Sequence, residues 1–327
     1  MLRVSQVDSR QVPLRIKSQS NSVNPHQGGT FLGSSRGGFD IDKIINFLER
    51  YEVNQLYVIG GDGTCRGAFA THEECIKRGK NIAVAGIPKT IDNDIDYIDR
   101  SFGFTSAVEA AQAAIRAAKT EARCNLPNGI GVVKLMGRSA GYIATHATLS
   151  SNDVDLCLVP EVPIVLTGDH GCMPHLYKKV KQKGFGVIVV AEGAGEELLG
   201  QSTETDKSGN KKLPKIGEEI KNQAMSYFAS LGEEATVKFI DPSYMIRSVP
   251  ANASDSLHCV QLAQNAVHGA MAGYTGFSVG LCNNKMVFLP IPYLVATSPR
   301  SMNPFGRTWE RLLGVTLQPN TTHLLQK

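Results

Sequence analysis

The sequence predicts an α/β protein with doubly wound, mostly parallel sheets in two Rossmann-like lobes. Three observations lead there. Short apolar runs recur at 55–59, 82–86, 130–135, 156–159, 187–191 and 236–240, and most are apolar at every position, as strands covered on both faces are. Segments with helical spacing lie between them, and alternation of strand and helix builds a parallel sheet. With 327 residues the chain is long enough for a large core and two lobes.

Taken in order, residues 1–26 read as an irregular extension. They hold Arg3, Arg10, Arg15, Lys17, five serines and one acid, Asp8, a composition that also suits a targeting peptide. Residues 41–51 predict a helix, with Ile41, Ile44, Ile45 and Leu48 on one face and Asp40 as N-cap. The 55–59 strand runs into VIGGDGTCRG and the 82–86 strand into GIPKTIDNDI. Ser106 and Glu109 have the spacing of a capping box and open an alanine-rich helix reaching about Glu121. MGRSAG at 136–141 follows the third strand, and the lobe boundary is placed there. AEGAGEE follows the 187–191 strand, and TETDKSGNKKL at 203–213 reads as a polar loop. A further helix covers 254–272, with Asn252 and Asp255 at its cap and Gly273 as its stop. The expected lobes are 27–137 and 138–327, the C-terminal segment returning to the first. No internal repeat is visible.

Composition excludes several classes. The formal net charge of +4 is small and spread out, without the basic runs and interleaved aromatics of a nucleic-acid binder. No stretch has the length of a membrane-spanning helix. The seven cysteines are scattered, odd in number and lack metal-ligand spacing, which reads as reduced thiols inside a cell. Among the eight histidines, His146, His258 and His268 read as ordinary helix residues.

Ligands of open parallel sheets bind beyond the C-terminal strand ends. That rule gathers residues 60–64, 86–94, 136–138 and 191–195 on one rim. In GGDGT, glycines permit close backbone approach, and a carboxylate beside bare amides suits a cation and phosphate. The structural alternative is a tight turn with Asp62 at a helix N-cap. In PKTIDND, Asp92 and Asp94 are two apart, so an extended segment would turn both the same way. Two such carboxylates can divide base and electrostatic roles, with Thr90 and Lys89 beside them. The alternative is a polar turn capping its own backbone. Asp62 with a nucleotide would supply the sparse carboxylate set that Mg²⁺ takes.

Other loops are weaker signals. GGTFLGSSR at 28–36 ends in Arg36, whose planar fork suits phosphoryl oxygens; a glycine-serine surface loop fits equally. Arg138 at a strand end can hold a sugar phosphate with nearby amides or can be a solvated charge. Glu192 can accept hydrogen bonds from sugar hydroxyls, whereas Glu196 and Glu197 read as solvated charges at a helix start. Tyr244 and Arg247 lie in DPSYMIRSVPANASD, Arg247 being either a second phosphate contact or a surface charge.

These motifs together resemble the phosphofructokinase family. The resemblance runs from about Gly28 to Arg311 and is carried, in order, by GGTFLGSSR, GGDGT, PKTIDND, GFTSAVE, MGRSAG, Pro160-Glu161, AEGAG and YMIRSVPANASD. GGDGT by itself is shared with other kinases; followed by PKTIDND and MGR it is specific. The resemblance implies the phosphofructokinase fold and an allosteric glycolytic kinase transferring phosphate to fructose 6-phosphate. Asp92 then corresponds to the base, Asp62 to the Mg²⁺ site and Arg36 to the arginine on the donor phosphate, with Thr90 and Asp94 as further catalytic residues. Gly28, Gly60, Gly61, Gly63 and Thr64 correspond to the donor cradle. Lys89, Thr90, Asp92, Met136, Gly137, Arg138, Glu192, Tyr244 and Arg247 correspond to the sugar-phosphate side, and Lys238 to a residue reaching a neighbouring subunit. A homo-oligomer, dimer or tetramer, follows from the family, as does a cytoplasmic location, with a plastid or other organelle as the alternative.

The resemblance also bears on the donor. Pyrophosphate-dependent relatives carry aspartate where this chain has Gly63, and an acid there would crowd and repel a nucleotide triphosphate. Glycine favours ATP, while Lys89 is shared with the pyrophosphate enzymes; the combination is similar to the ATP-using plant and protist branch. Relatives carry an earlier strand and a glycine-rich loop, and residues 1–26 do not read as that unit. The alternatives to an ATP-dependent kinase are therefore a pyrophosphate-dependent one and a non-catalytic, phosphate-binding homologue.

Overall fold

The computed structural model describes residues 28–30, 38–200 and 213–326. The 1–26 extension, Arg36 and nearly all of the 203–213 loop lie outside the described residues. Eight strands are defined among those described: β1 Gln55–Gly60, β2 Ala83–Pro88, β3 Gly129–Leu135, β4 Leu156–Leu158, β5 Phe185–Ala191, β6 Thr236–Ile240, β7 Phe277–Cys282 and β8 Lys285–Pro290. Backbone contacts divide the described residues into two units, one taking those up to Thr105 and 248–300, the other 106–247 and 301 onward.

This division falls earlier than the 135–141 boundary expected from sequence. The segment that returns to the first unit is internal, 248–300, and the residues from Ser301 stay with the second. Packing explains the shift. The long helix Phe104–Cys124 lies so close on β3 that a Cβ at Gly129 would stand 1.9 Å from the Ala122 carbonyl oxygen, and one at Gly131 2.6 Å from that of Ala118. Only glycine on the strand, facing small residues on the helix, allows that approach. The helix therefore belongs with β3.

The helix also begins before the expected capping box. It starts at Phe104, directly after Gly103 turns the chain at φ +96°, so Ser106 is a buried residue inside the first turn rather than a cap.

In the first unit the sheet order is β1-β2-β7-β8. β1, β2 and β7 run parallel, and β8 is antiparallel to β7. The β7–β8 hairpin is an addition to the sequence reading. Its two-residue turn is Asn283-Asn284, at φ +47° and +61°, the left-handed pair that a tight hairpin needs and asparagine tolerates. Asp40 caps helix Ile41–Arg50 as expected, accepting from the Lys43 N–H at 3.1 Å. Helix Asp62–Lys77 packs Cys65 and Ala68 against Val84 and Ile291. Helix Ala253–Met271 is capped by Asn252, which accepts from Asp255 N–H at 2.9 Å, and sets Leu262 and Ala266 on Ala85, Phe277 and Val279.

The second unit has an all-parallel sheet in the order β4-β5-β3-β6. On one face Ile130, Val132, Ile188 and Val190 meet Leu176, Val180, Ile216, Ile220 and Phe228 from two helices. Val133, Val187 and Val189 are buried as well, so the strands are apolar at successive positions because both faces are covered. Burial of each such large side chain contributes about 1.5–3 kcal/mol.

Candidate active site

The first unit brings two of the expected loops together. β1 and β2 are parallel neighbours with Gly60 opposite Pro88, and the ladder continues one step as Lys89 N–H donates to the Gly60 carbonyl at 2.8 Å. GGDGT and PKTIDND thus leave adjacent strand ends on one rim. A Cβ at Gly60 would stand 2.3 Å from the Thr64 hydroxyl oxygen, so glycine is what lets Thr64 fold back over the turn. Gly61 is the N-cap of helix Asp62–Lys77 and Asp62 its first residue. The carboxylate therefore does not cap the helix. It faces Arg66 one turn on, with Nη2 3.2 Å from Oδ1, and sits where the helix N-terminus favours negative charge. Gly63 is exposed, and nothing lies within 4 Å of where its Cβ would be.

The 89–94 segment is not the extended run expected from sequence. It turns, with Asn93 left-handed at φ +57°, so the alternation that would aim Asp92 and Asp94 alike does not hold. Asn93 Oδ1 accepts from Ser101 N–H at 2.8 Å, and this tie holds the unusual backbone. Asp92 N–H donates to the Thr90 hydroxyl at 3.2 Å, and Ser101 Oγ donates to the Thr90 carbonyl at 2.6 Å. Arg300 closes the far side, its N–H donating to the Asp94 carbonyl at 2.7 Å and its Nε to that of Asn93 at 3.2 Å. Lys89 is exposed, and Asp92 is half-buried.

Burial pushes the Asp94 carboxyl above the ordinary carboxylate range, and the charge of Asp62 pushes the same way; the Thr90 hydroxyl and Arg300 oppose them. Asp62 and Asp94 are thus near enough to repel, and Asp94 Oδ1 is buried without a hydrogen-bond partner. Two crowded carboxylates with spare acceptor capacity form an oxygen-donor set that fits a hard cation such as Mg²⁺. Among the described residues no cluster of three or more His, Cys, Asp or Glu side chains competes for a metal.

The second unit assembles its own rim. Leu135 lies opposite Ala191. Past these strand ends, Glu192 N–H donates to the Leu135 carbonyl at 2.8 Å and Gly193 N–H to that of Gly137 at 3.2 Å. Gly137 is at φ +130°, and a Cβ there would stand 2.4 Å from the Ala140 carbonyl oxygen. Met136 is buried, while Arg138 and Glu192 are half-buried. On the other flank of β3, Val133 lies opposite Ile240, so helix Ser243–Arg247 starts beside the end of β3, and Lys134 pairs with Asp241 at 2.7 Å. Tyr244 and Arg247 on that helix are exposed. Lys238 is not gathered there. It lies opposite Gly131, part-way down edge strand β6, and is exposed. Glu197 is more than a solvated charge, since its carboxylate accepts from Ile164 N–H at 2.7 Å.

Gly28 packs against the backbone of 248–249, where a Cβ would stand 1.7 Å from the Ser248 carbonyl oxygen. Sequence reasoning missed three residues. Arg66 was legible four positions after Asp62. Glu161 was visible in Pro160-Glu161 but had no role. Arg300 had no local signal, because its contacts are tertiary.

A sequence model of the phosphofructokinase family matches residues 7–270. The chain belongs to the phosphofructokinase family. It is 50% identical over 297 residues to ATP-dependent 6-phosphofructokinase 7 of Arabidopsis thaliana, covering 90% of this chain and 61% of that protein. It is 52% identical over 298 residues to ATP-dependent 6-phosphofructokinase 1 of the same plant, covering 90% and 62%. The chain thus spans about three-fifths of the length of these curated relatives. The fold matches a pyrophosphate-dependent phosphofructokinase from Marinobacter aquaeolei with a TM-score of 0.71 at 19% identity, covering 90% of this chain and 75% of that one. The doubly wound parallel architecture is thus the phosphofructokinase fold. No helix among the described residues is long and apolar enough to cross a membrane.

Proposed function

We propose that this chain carries the phosphoryl-transfer machinery of an ATP-dependent 6-phosphofructokinase, which makes fructose 1,6-bisphosphate and ADP from fructose 6-phosphate and ATP. The observation that carries the proposal is the junction of GGDGT and PKTIDND on adjacent strand ends, joined by the Lys89–Gly60 hydrogen bond. It supports a reading in which Asp62 serves as the metal-binding acid and Asp92 as the base. The names of the Arabidopsis relatives support the donor and the reaction.

In this reading Asp92 accepts the proton of the sugar 1-hydroxyl as its oxygen attacks the terminal phosphorus of ATP and the bond to ADP breaks. Charge spreads over the transferred oxygens, so positioning and electrostatics supply most of the rate. Gly60, Gly61, Gly63 and Thr64 cradle the donor, with Gly28 and Arg36 assigned to the same side. Asp62, with Asp94 nearby, would hold Mg²⁺, which when bound neutralises charge on the donor phosphates. Thr90 orients Asp92 through its backbone N–H. Met136, Gly137, Arg138, Glu192, Tyr244 and Arg247 are assigned to the sugar phosphate, and Lys89 to neutralising a substrate phosphate. Lys238, exposed on an edge strand, serves a neighbouring subunit in a homo-oligomer. Cytosol and plastid both belong to the proposal, as two Arabidopsis relatives are named chloroplastic.

A coupled assay on the purified chain, with fructose 6-phosphate and either ATP or pyrophosphate, tests this. Turnover with ATP and Mg²⁺ is expected, and Asp92→Ser should lower kcat by at least about 10²-fold. Turnover with pyrophosphate alone would reassign the donor. Absence of turnover with both would favour a non-catalytic, phosphate-binding homologue.

A further inference from the structure

Pro160-Glu161 is a motif of the family pattern that the reaction leaves without work. Glu161 is a half-buried acid whose partners are backbone amides. Its Oε1 and Oε2 accept from Gly141 N–H at 2.9 and 3.1 Å, and Oε1 also accepts from Met302 N–H at 2.8 Å. Gly141 is the N-cap of helix Tyr142–Ser151 and offers no side-chain cap of its own. A Cβ at Gly141 would stand 2.9 Å from Glu161 Oε2 and 2.6 Å from Val159 Cβ, so the fit of carboxylate to loop is tight. Two further bonds close the ring. Ser301 Oγ donates to the Ser139 carbonyl at 3.1 Å, and Tyr142 Oη donates to the Ser301 carbonyl at 3.0 Å.

We infer that Glu161 is a positioning residue for Arg138: its carboxylate clamps the MGRSAG loop to the 301–302 segment and so fixes the backbone that presents Arg138 to a sugar phosphate. The loop is held at three places. Gly193 packs on the Arg138 carbonyl, Ser301 holds Ser139, and Glu161 holds Gly141. Without the last, the helix start and the loop before it are free to fray, since an uncapped N-terminus leaves its N–H groups to water. Desolvation raises the Glu161 carboxyl above its ordinary range, and the Gly141 and Met302 amides oppose that rise; the amides thus favour the ionised form that can accept from both.

The proposal rests on the sugar-phosphate reading of Arg138, and its test separates the two. Glu161→Gln keeps the shape but removes the charge and the second oxygen: Gly141 loses its bond to Oε2, and the one oxygen that both amides reach becomes a neutral, weaker acceptor. Hydrogen exchange of the full chain, followed by mass spectrometry or NMR, should show at least about tenfold faster exchange at Gly141 and Met302, as loss of a charge-assisted bond permits. Calorimetric titration should show fructose 6-phosphate binding about tenfold weaker and a non-hydrolysable ATP analogue within twofold of the parent. Unchanged exchange at both amides, or equal weakening of both ligands, overturns the clamp. Failure of the parent to bind fructose 6-phosphate overturns the function instead, while the exchange result still decides the clamp. Should Glu161→Gln not fold, Glu161→Asp shortens the reach of the carboxylate to Gly141 and Met302; about threefold weaker sugar-phosphate binding with faster exchange at both amides is expected, and unchanged binding and exchange overturn the proposal.

Discussion

Gly193 and Arg138 meet backbone to backbone: a Cβ on Gly193 would stand 1.8 Å from the Arg138 carbonyl oxygen. This approach stacks the loop after β5 on the loop after β3. Gly193→Ala must displace one of two backbones, so a loss of roughly 1–3 kcal/mol is expected. Thermal melting measures that loss. The KM for fructose 6-phosphate should rise while that for ATP holds, and equal effects on both would show that the contact serves stability alone.

Gly63 has open space where a side chain would go, and its φ lies outside the left-handed range, so Gly63→Asp should fold with Tm within about 2 °C of the parent. The added acid should repel a nucleotide's phosphates. At least about tenfold lower kcat/KM with ATP is the expected outcome, read in the coupled assay. Unaltered kinetics would detach Gly63 from the donor site.

Asp94 carries a carboxyl whose range is raised by burial and by Asp62. A raised carboxyl stabilises the fold fully below the unfolded value and loses that contribution as pH rises through the folded value. Asp94→Asn removes the ionisation. Tm should therefore rise by about 2 °C at neutral pH, with the gain shrinking as pH falls into the carboxylate range, while activity drops. A differential scanning series against pH checks the sign. A gain independent of pH would refute the linkage.

Glycine also governs the second core. Gly129→Ala should cost roughly 1–3 kcal/mol, since the new methyl would stand 1.9 Å from the Ala122 carbonyl oxygen. Both substrates should then bind normally at low temperature. Weakened binding of one substrate alone would show that this contact reaches a loop.

Six strands were legible from their apolar runs, and the Asp40 and Asn252 caps from a polar residue ahead of a periodic stretch. β7 and β8 escaped notice although Asn283-Asn284 marks a hairpin turn, because the flanking runs are short and mixed. The apparent box at Ser106 and Glu109 misled, since Gly103 had already turned the chain. The division of the chain was misplaced for a related reason: spacing shows that a helix exists, but not which sheet its alanines will cover.

The amino-acid order alone determined the strand-loop-helix alternation and put glycines, acids or an arginine just beyond β1, β2, β3 and β5, because apolar periodicity and glycine act through near neighbours. Tertiary structure decided which ends become adjacent. It set Lys89 on Gly60, Arg300 on Asp94 and Glu161 on Gly141, contacts between residues distant along the chain, whose partners are chosen by sheet order and packing rather than by any local pattern.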